Sequence, residues 1–131
     1  MTEEDLITAC ARVGVHVVFL PFPLAGSYYH DEGLIVIDSR LPAASQRAAL
    51  AHEYVHATLG HDGPQEAHIE ARVDRQAARL LVSPVEYALA ERLFGVNVAA
   101  IAEELGAPVW VVAAYREALA RRVQVGVQRG A

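Results

Sequence analysis

Leu50–Gly63 reads LAHEYVHATLGHDG and holds His52, Glu53 and His56 in the order His-Glu-x-x-His. On a helix, positions i and i+4 lie about 40° apart around the axis, so both imidazoles face one side and can converge on a single zinc ion. Glu53 is offset by about 100° from His52, which sets it beside the metal and not on it. From there it can take a proton from water and pass it to a leaving amine, the chemistry of a zinc-peptidase helix. With six histidines and eleven glutamates in 131 residues, shuffling produces this order in roughly two trials per hundred, so spacing alone does not decide the matter. The surroundings add weight. Ala51, Tyr54, Val55, Ala57 and Leu59 are apolar, and a polar trio within an apolar helix is costly unless something satisfies it.

Catalytic zinc takes three protein ligands and keeps one position open. Downstream, PQEAHIEARVDRQAARLLVSP offers Glu66, His68, Glu70 and Asp74. Glu70 and Asp74 are spaced i, i+4 on a predicted helix, so Glu70 can bind the metal while Asp74 supports a ligand histidine from one turn on. Glu66, a turn earlier on the same side, competes with Glu70. Asp62 stands where enzymes with a metal-binding turn after the helix place a third ligand. Leu59, however, occupies the glycine position such a turn needs, which ranks Asp62 below Glu70. His61 and His68 read as loop residues near the site.

The bulk composition narrows the class. Hydrophobic residues make up 53% and charged residues 21%, the balance of a globular chain. No apolar run reaches the roughly 18 residues of a membrane span, and the acidic opening MTEEDLITACARVG lacks a signal peptide's basic region. The lone Cys10 excludes an internal disulfide. The cytoplasm is the expected compartment. A net charge of −5, with arginine as the only basic side chain besides histidine, leaves no footprint for nonspecific nucleic-acid binding.

Along the chain, Thr2 and Asp5 form a capping-box pattern for a helix ending at Gly14. Val15–Leu20 is β-branched and aromatic, hence a strand. Pro21 and Pro23 impose an irregular connection, and Ser27–His30 with Leu34–Ile37 reads as a hairpin around HDEG. A helix then starts near Ser39 or Pro42 and stops at Gly60. A second spans about 65–81, and Ser83-Pro84 starts a third. Two short helices joined at LGAP complete a single α+β domain over residues 1–131.

The run AHEYVHATLGH followed by EARVDRQAARLLVSP resembles the ImmA/IrrE family of zinc metallo-endopeptidases, over roughly Gly26 to Leu119. The resemblance implies a minimal gluzincin-like metalloprotease fold: a small mixed sheet, an active-site helix, and a glutamate-bearing helix. It implies that His52, His56 and Glu70 bind Zn2+, with Glu53 as general base. Asp74 stands where the family has Asn, Val73 where it has Ala, and Gln76 where it has Phe. LLVSP carries one residue more than the family's LLMP. The resemblance also implies a protein substrate, a helix-turn-helix transcriptional repressor. A zincin sheet edge can take an extended peptide as an added strand, supplied here by Ser27–His30 or Leu34–Ile37. Tyr28, Tyr29, His30 and His61 are the candidates to contact substrate or a developing oxyanion. Tyr54, about 160° from both histidines around the helix, belongs to the core.

Two rival readings remain. VAAIAEELGAPVWVVAAYREAL, about 97–122, has the form of a helix-turn-helix, the signature of a small DNA-binding regulator. Its second helix begins PVWVVAAY, with no base-reading Arg or Asn in its first turns, so Trp110 and Val111 read as core or a partner contact. A noncatalytic zinc-binding antirepressor would keep the same site and sequester the repressor without cutting it.

Overall fold

The computed structural model describes the backbone of residues 1–130 and the side chains of residues 1–123. Helix α1 spans Glu3–Arg12. The Thr2 hydroxyl accepts from the Asp5 amide while the Asp5 carboxylate accepts from the Thr2 amide, the reciprocal cap foreseen in the sequence.

Three strands follow: β1 His16–Leu20, β2 Gly26–Tyr29 and β3 Leu34–Asp38, in the order β1-β3-β2. β1 runs parallel to β3, and β2 and β3 form the antiparallel hairpin. The order corrects one expectation. Leu34–Ile37 is the central strand, both of its ladders are occupied, and it cannot supply a free edge; among the two hairpin strands that role falls to β2. β3 is buried from Ile35 to Asp38, the near-continuous apolar run of a central strand. Asp38 secures the proline-bearing crossover by accepting from the Phe22 amide at 3.3 Å and from Arg40 Nε at 2.9 Å.

Helix α2, Ala43–Leu59, starts after Pro42 and ends at Gly60, whose φ of 68° is the left-handed cap that glycine takes without strain. Helix α3 is Ala67–Leu81, beginning two residues later than the sequence reading. The chain beyond Pro64 stays extended through Glu66 (φ −64°, ψ 155°), so the helix cannot start sooner. Ser83 caps α4, Pro84–Phe94, with Pro84 at its first position. Asn97 caps α5, Val98–Leu105.

Helix α6, Val109–Gly130, continues well past Arg122 and is not the short segment expected. The axes of α5 and α6 bend by 110°, within the range of helix-turn-helix pairs. Val111, Val112 and Tyr115 are nevertheless buried in a cluster with Ala78, Val82 and Tyr87. One face of the early turns of α6 therefore serves the core, while Val109, Trp110 and Ala113 stay exposed on the other. Among the described residues, no single helix is long and apolar enough to cross a membrane.

Two apolar clusters hold these elements. The first joins Leu6 and Cys10 to Ile35, Ile37, Leu50, Val55, Val73 and Ala77, with Tyr54 half-buried against it as expected. Burial pushes the Cys10 thiol up to about 11, so it behaves as a small apolar group. The second cluster gathers α4, α5 and α6 around Ala48 and Ala78. Helices α2 and α3 contribute to both clusters, and small residues at Ala48, Ala51, Ala77 and Ala78 let their backbones approach closely. Leu50 is fully buried where α2 meets the sheet. Leu50→Ala should cost about 2–5 kcal/mol, while Leu59→Ala, at the exposed end of the same helix, should stay within about 0.5 kcal/mol; urea melts with matched slopes will measure both.

Candidate metal centre

Close packing of α2 against α3 brings the three expected donors together. His52 Nε2 lies 3.1 Å from His56 Nε2, and Glu70 Oε2 lies 3.2 Å from His56 Nε2 and 3.3 Å from His52 Nε2. A tetrahedral zinc with bonds of about 2.0–2.1 Å separates its ligands by about 3.3 Å, the edge of that tetrahedron. These contacts are not a self-sufficient hydrogen-bond set. Asp74 Oδ1 sits 2.8 Å from His52 Nδ1, so in neutral His52 the Nδ1–H donates to Asp74 and Nε2 is a bare lone pair. That lone pair faces a carboxylate oxygen and a second imidazole nitrogen, which repel unless a proton or a cation lies among them. The donor set fits a divalent ion with imidazole and carboxylate preference, and these three residues form a group able to hold one.

The electrostatics follow from this crowding. Burial pulls the His52 pKa down, but Asp74, Glu53 and Glu70 outweigh it and leave the net value raised. His56 is lowered by burial and by its proximity to His52, with Glu70 opposing. A proton taken up by the pair therefore favours His52, and a cation competes with it for that nitrogen.

Glu53 is only 8% exposed, at the floor between α2 and β2. Burial, reinforced by Glu70, pushes its carboxyl up to about 7, against the opposing pull of His52 and the Tyr28 amide. β2 passes close above it. A Cβ at Gly26 would stand 2.9 Å from Ile37 Cδ1 and 3.1 Å from Glu53 Cγ, so a side chain at position 26 would require both neighbours to shift.

The remaining candidates separate by position. Tyr28 and His61 line the cleft of about 290 Å³ in front of the triad. His61 Nδ1 stands 2.9 Å from His56 Nδ1, and the Tyr28 hydroxyl 3.1 Å from His30 Nδ1. Tyr29 and His30, at the far end of β2 from Gly26, are exposed and do not line the cleft. Glu66 and His68 side chains are 81% and 75% exposed and pair with each other at 3.4 Å. Asp62 is exposed as well, so neither Glu66 nor Asp62 joins the cluster.

Two neighbours of the site escaped the sequence reading. Gly26 carries no local signal of its close approach. Trp110, read as core or partner contact, places its ring edge-on to His52 with centroids 6.1 Å apart at 89°. Only the packing of α6 reveals that proximity.

Residues 10–127 match the family described as the IrrE N-terminal-like domain, a family of peptidases. The chain belongs to the ImmA/IrrE family. The match covers nearly the whole chain, including α6, which is thus part of the family's fold. No curated protein shows significant similarity to the chain.

A carboxyl raised from 4.5 to about 7 binds an extra proton in the folded state between those values. Its stabilising contribution is full below 4.5 and is lost as pH rises through about 7. In metal-free protein at pH about 8, Glu53→Gln should therefore be more stable than wild type by up to about 3 kcal/mol, a gain that fades as the pH falls toward the ordinary glutamate value. Denaturant melts of both forms across that range, with chelator present, will show it.

Proposed function

We propose that this protein is a zinc-dependent endopeptidase that cuts an exposed, extended segment of another protein. The observation that carries the reading is the convergence of His52, His56 and Glu70 with a buried carboxylate, Glu53, alongside. His52 Nε2, His56 Nε2 and Glu70 Oε2 would hold the ion. When bound, zinc supplies Lewis-acid polarisation of a carbonyl and lowers the pKa of water toward about 7.

The chain's own residues do the rest. Glu53, beside the triad and largely out of solvent, accepts a proton from the attacking water and delivers it to the departing amine. Its raised pKa suits both halves of that transfer near neutral pH. Asp74 fixes the His52 tautomer and ring plane through Nδ1, and His61 abuts His56 at the corresponding atom. Tyr28 and His61 line the cleft and would be the donors toward a developing oxyanion, the Tyr28 hydroxyl on leaving His30. β2 is a sheet edge whose Gly26, Ser27 and Tyr28 border the same cleft, so a substrate segment added along it passes in front of Glu53.

The family resemblance supports a helix-turn-helix transcriptional repressor as the substrate, met in the cytoplasm and inactivated by cleavage. On this reading the α5–α6 pair is structural and contacts no nucleic acid.

Elemental analysis of protein purified without added metal should give about one zinc per chain, largely lost in Glu70→Ala, and an affinity reduced about 10–100-fold in Asp74→Ala. Glu53→Gln should keep the zinc and lose on the order of 10²–10⁴ in turnover of a repressor substrate. Relief of repression by Glu53→Gln at the wild-type level would replace proteolysis with sequestration. Full zinc retention in Glu70→Ala would overturn the ligand set.

A further inference from the structure

A second groove, of about 620 Å³, borders His52 and Glu53 next to the triad cleft. The two spaces share Leu24, Gly26, His52 and Glu53, so they adjoin along these four residues, beside the proposed reacting position. Their two ends differ in chemistry. The triad end presents Ser27, Tyr28, His61 and Glu70. The far end is walled by Leu24, Leu41, Pro108 and Trp110, over a floor of small residues that includes Ser45 and Ala49. The volume lies within the range of pockets that enclose a small ligand or a large side chain with its backbone.

Trp110 is the wall that closes this end. It is the chain's sole tryptophan, is 36% exposed, and stands edge-on to His52 at the mouth of the groove. A half-exposed indole facing small residues across an apolar groove gains most by covering a bulky apolar partner. Asp74 contributes the one acidic group at this end besides Glu53, and its Oδ1 is already engaged by His52. The other walls named at this end are apolar, which favours an apolar side chain over a cationic one.

We infer that the Trp110 groove is the specificity pocket of the enzyme, selecting a large aliphatic or aromatic residue immediately flanking the bond to be cut. The inference rests on the peptidase reading for the position of that bond, and on the groove's adjoining the triad cleft for its occupant. The polar triad end places no such demand, so selectivity is one-sided.

The test uses zinc-loaded Glu53→Gln protein, which holds peptides without cutting them, and fluorescein-labelled peptides acetyl-Ala-Ala-Xaa-Ala-Ala with Xaa = Leu, Phe, Ser or Lys. Anisotropy should show Leu and Phe bound at least about tenfold more tightly than Ser or Lys. Matching unlabelled peptides should shift Trp110 emission to the blue as the ring is covered. Trp110→Ala and Ser45→Leu, one removing the wall and the other filling the floor, should each abolish the preference at unchanged zinc content, and Trp110→Phe should restore most of it. Equal binding of all four peptides, a preference that survives both substitutions, or a preference for Lys would overturn the pocket. Cleavage by wild-type protein, mapped by mass spectrometry, separates the two readings. Cleavage without side-chain preference sinks the pocket and keeps the peptidase. Selective binding without cleavage in the wild type does the reverse.

Discussion

Three electron-rich atoms from two helices are held within 3.3 Å of one another, an arrangement the fold must enforce against their mutual repulsion. The enforcement comes from the α2–α3 contact. Ala51 and Ala77 in one apolar cluster, with Ala48 and Ala78 in the other, keep side-chain bulk out of that interface. Because each helix is tied into both clusters, neither can rotate or slide to relieve the donors without disturbing the core on both sides. The stored repulsion becomes affinity once a cation occupies the space among the donors, so stability sacrificed in the metal-free protein returns on loading.

The same contact explains why Glu53 is buried. Its position one residue after His52 turns it away from α3 and toward the sheet, where the glycine at position 26 lets β2 descend onto it. Burial that would be a simple penalty elsewhere sets the carboxyl near neutral pH, where it can both take and give a proton. A larger residue at 26 would press on Ile37 and on the Glu53 side chain itself. The cleft, the base and the edge strand thus depend on one close backbone approach.

What the sequence made legible was local. Histidines four apart and carboxylates four apart report one helix face each, and a helix face needs no knowledge of the fold. The caps at Thr2, Ser83 and Asn97 and the stop at Gly60 follow from short-range hydrogen bonding and backbone sterics. Strand order was not legible in that way: Leu34–Ile37 and Ser27–His30 looked equally able to lie at an edge until β1 was found paired parallel to β3. Trp110 was ambiguous for the same reason. Its neighbour Val111 is fully buried and Trp110 is not, a difference set by where α6 crosses α3 and not by any pattern along α6. Helix spacing alone did not separate Glu66 from Glu70; the true start of α3 does, leaving Glu66 in the extended segment before the helix.

Asp74 carries a further consequence of that geometry. The family pattern has Asn at this position, whose amide oxygen would accept the same Nδ1–H without a charge. A carboxylate at 2.8 Å makes the bond charge-assisted and shifts electron density toward Nε2, strengthening His52 as a donor. It also stabilises the protonated imidazole, so the cation must compete harder with protons for the same nitrogen. The second effect opposes the first at acidic pH and vanishes once His52 is neutral, where only the strengthened donor remains. With a metal held as proposed by His52, His56 and Glu70, loading would depend more steeply on pH than with Asn at this position.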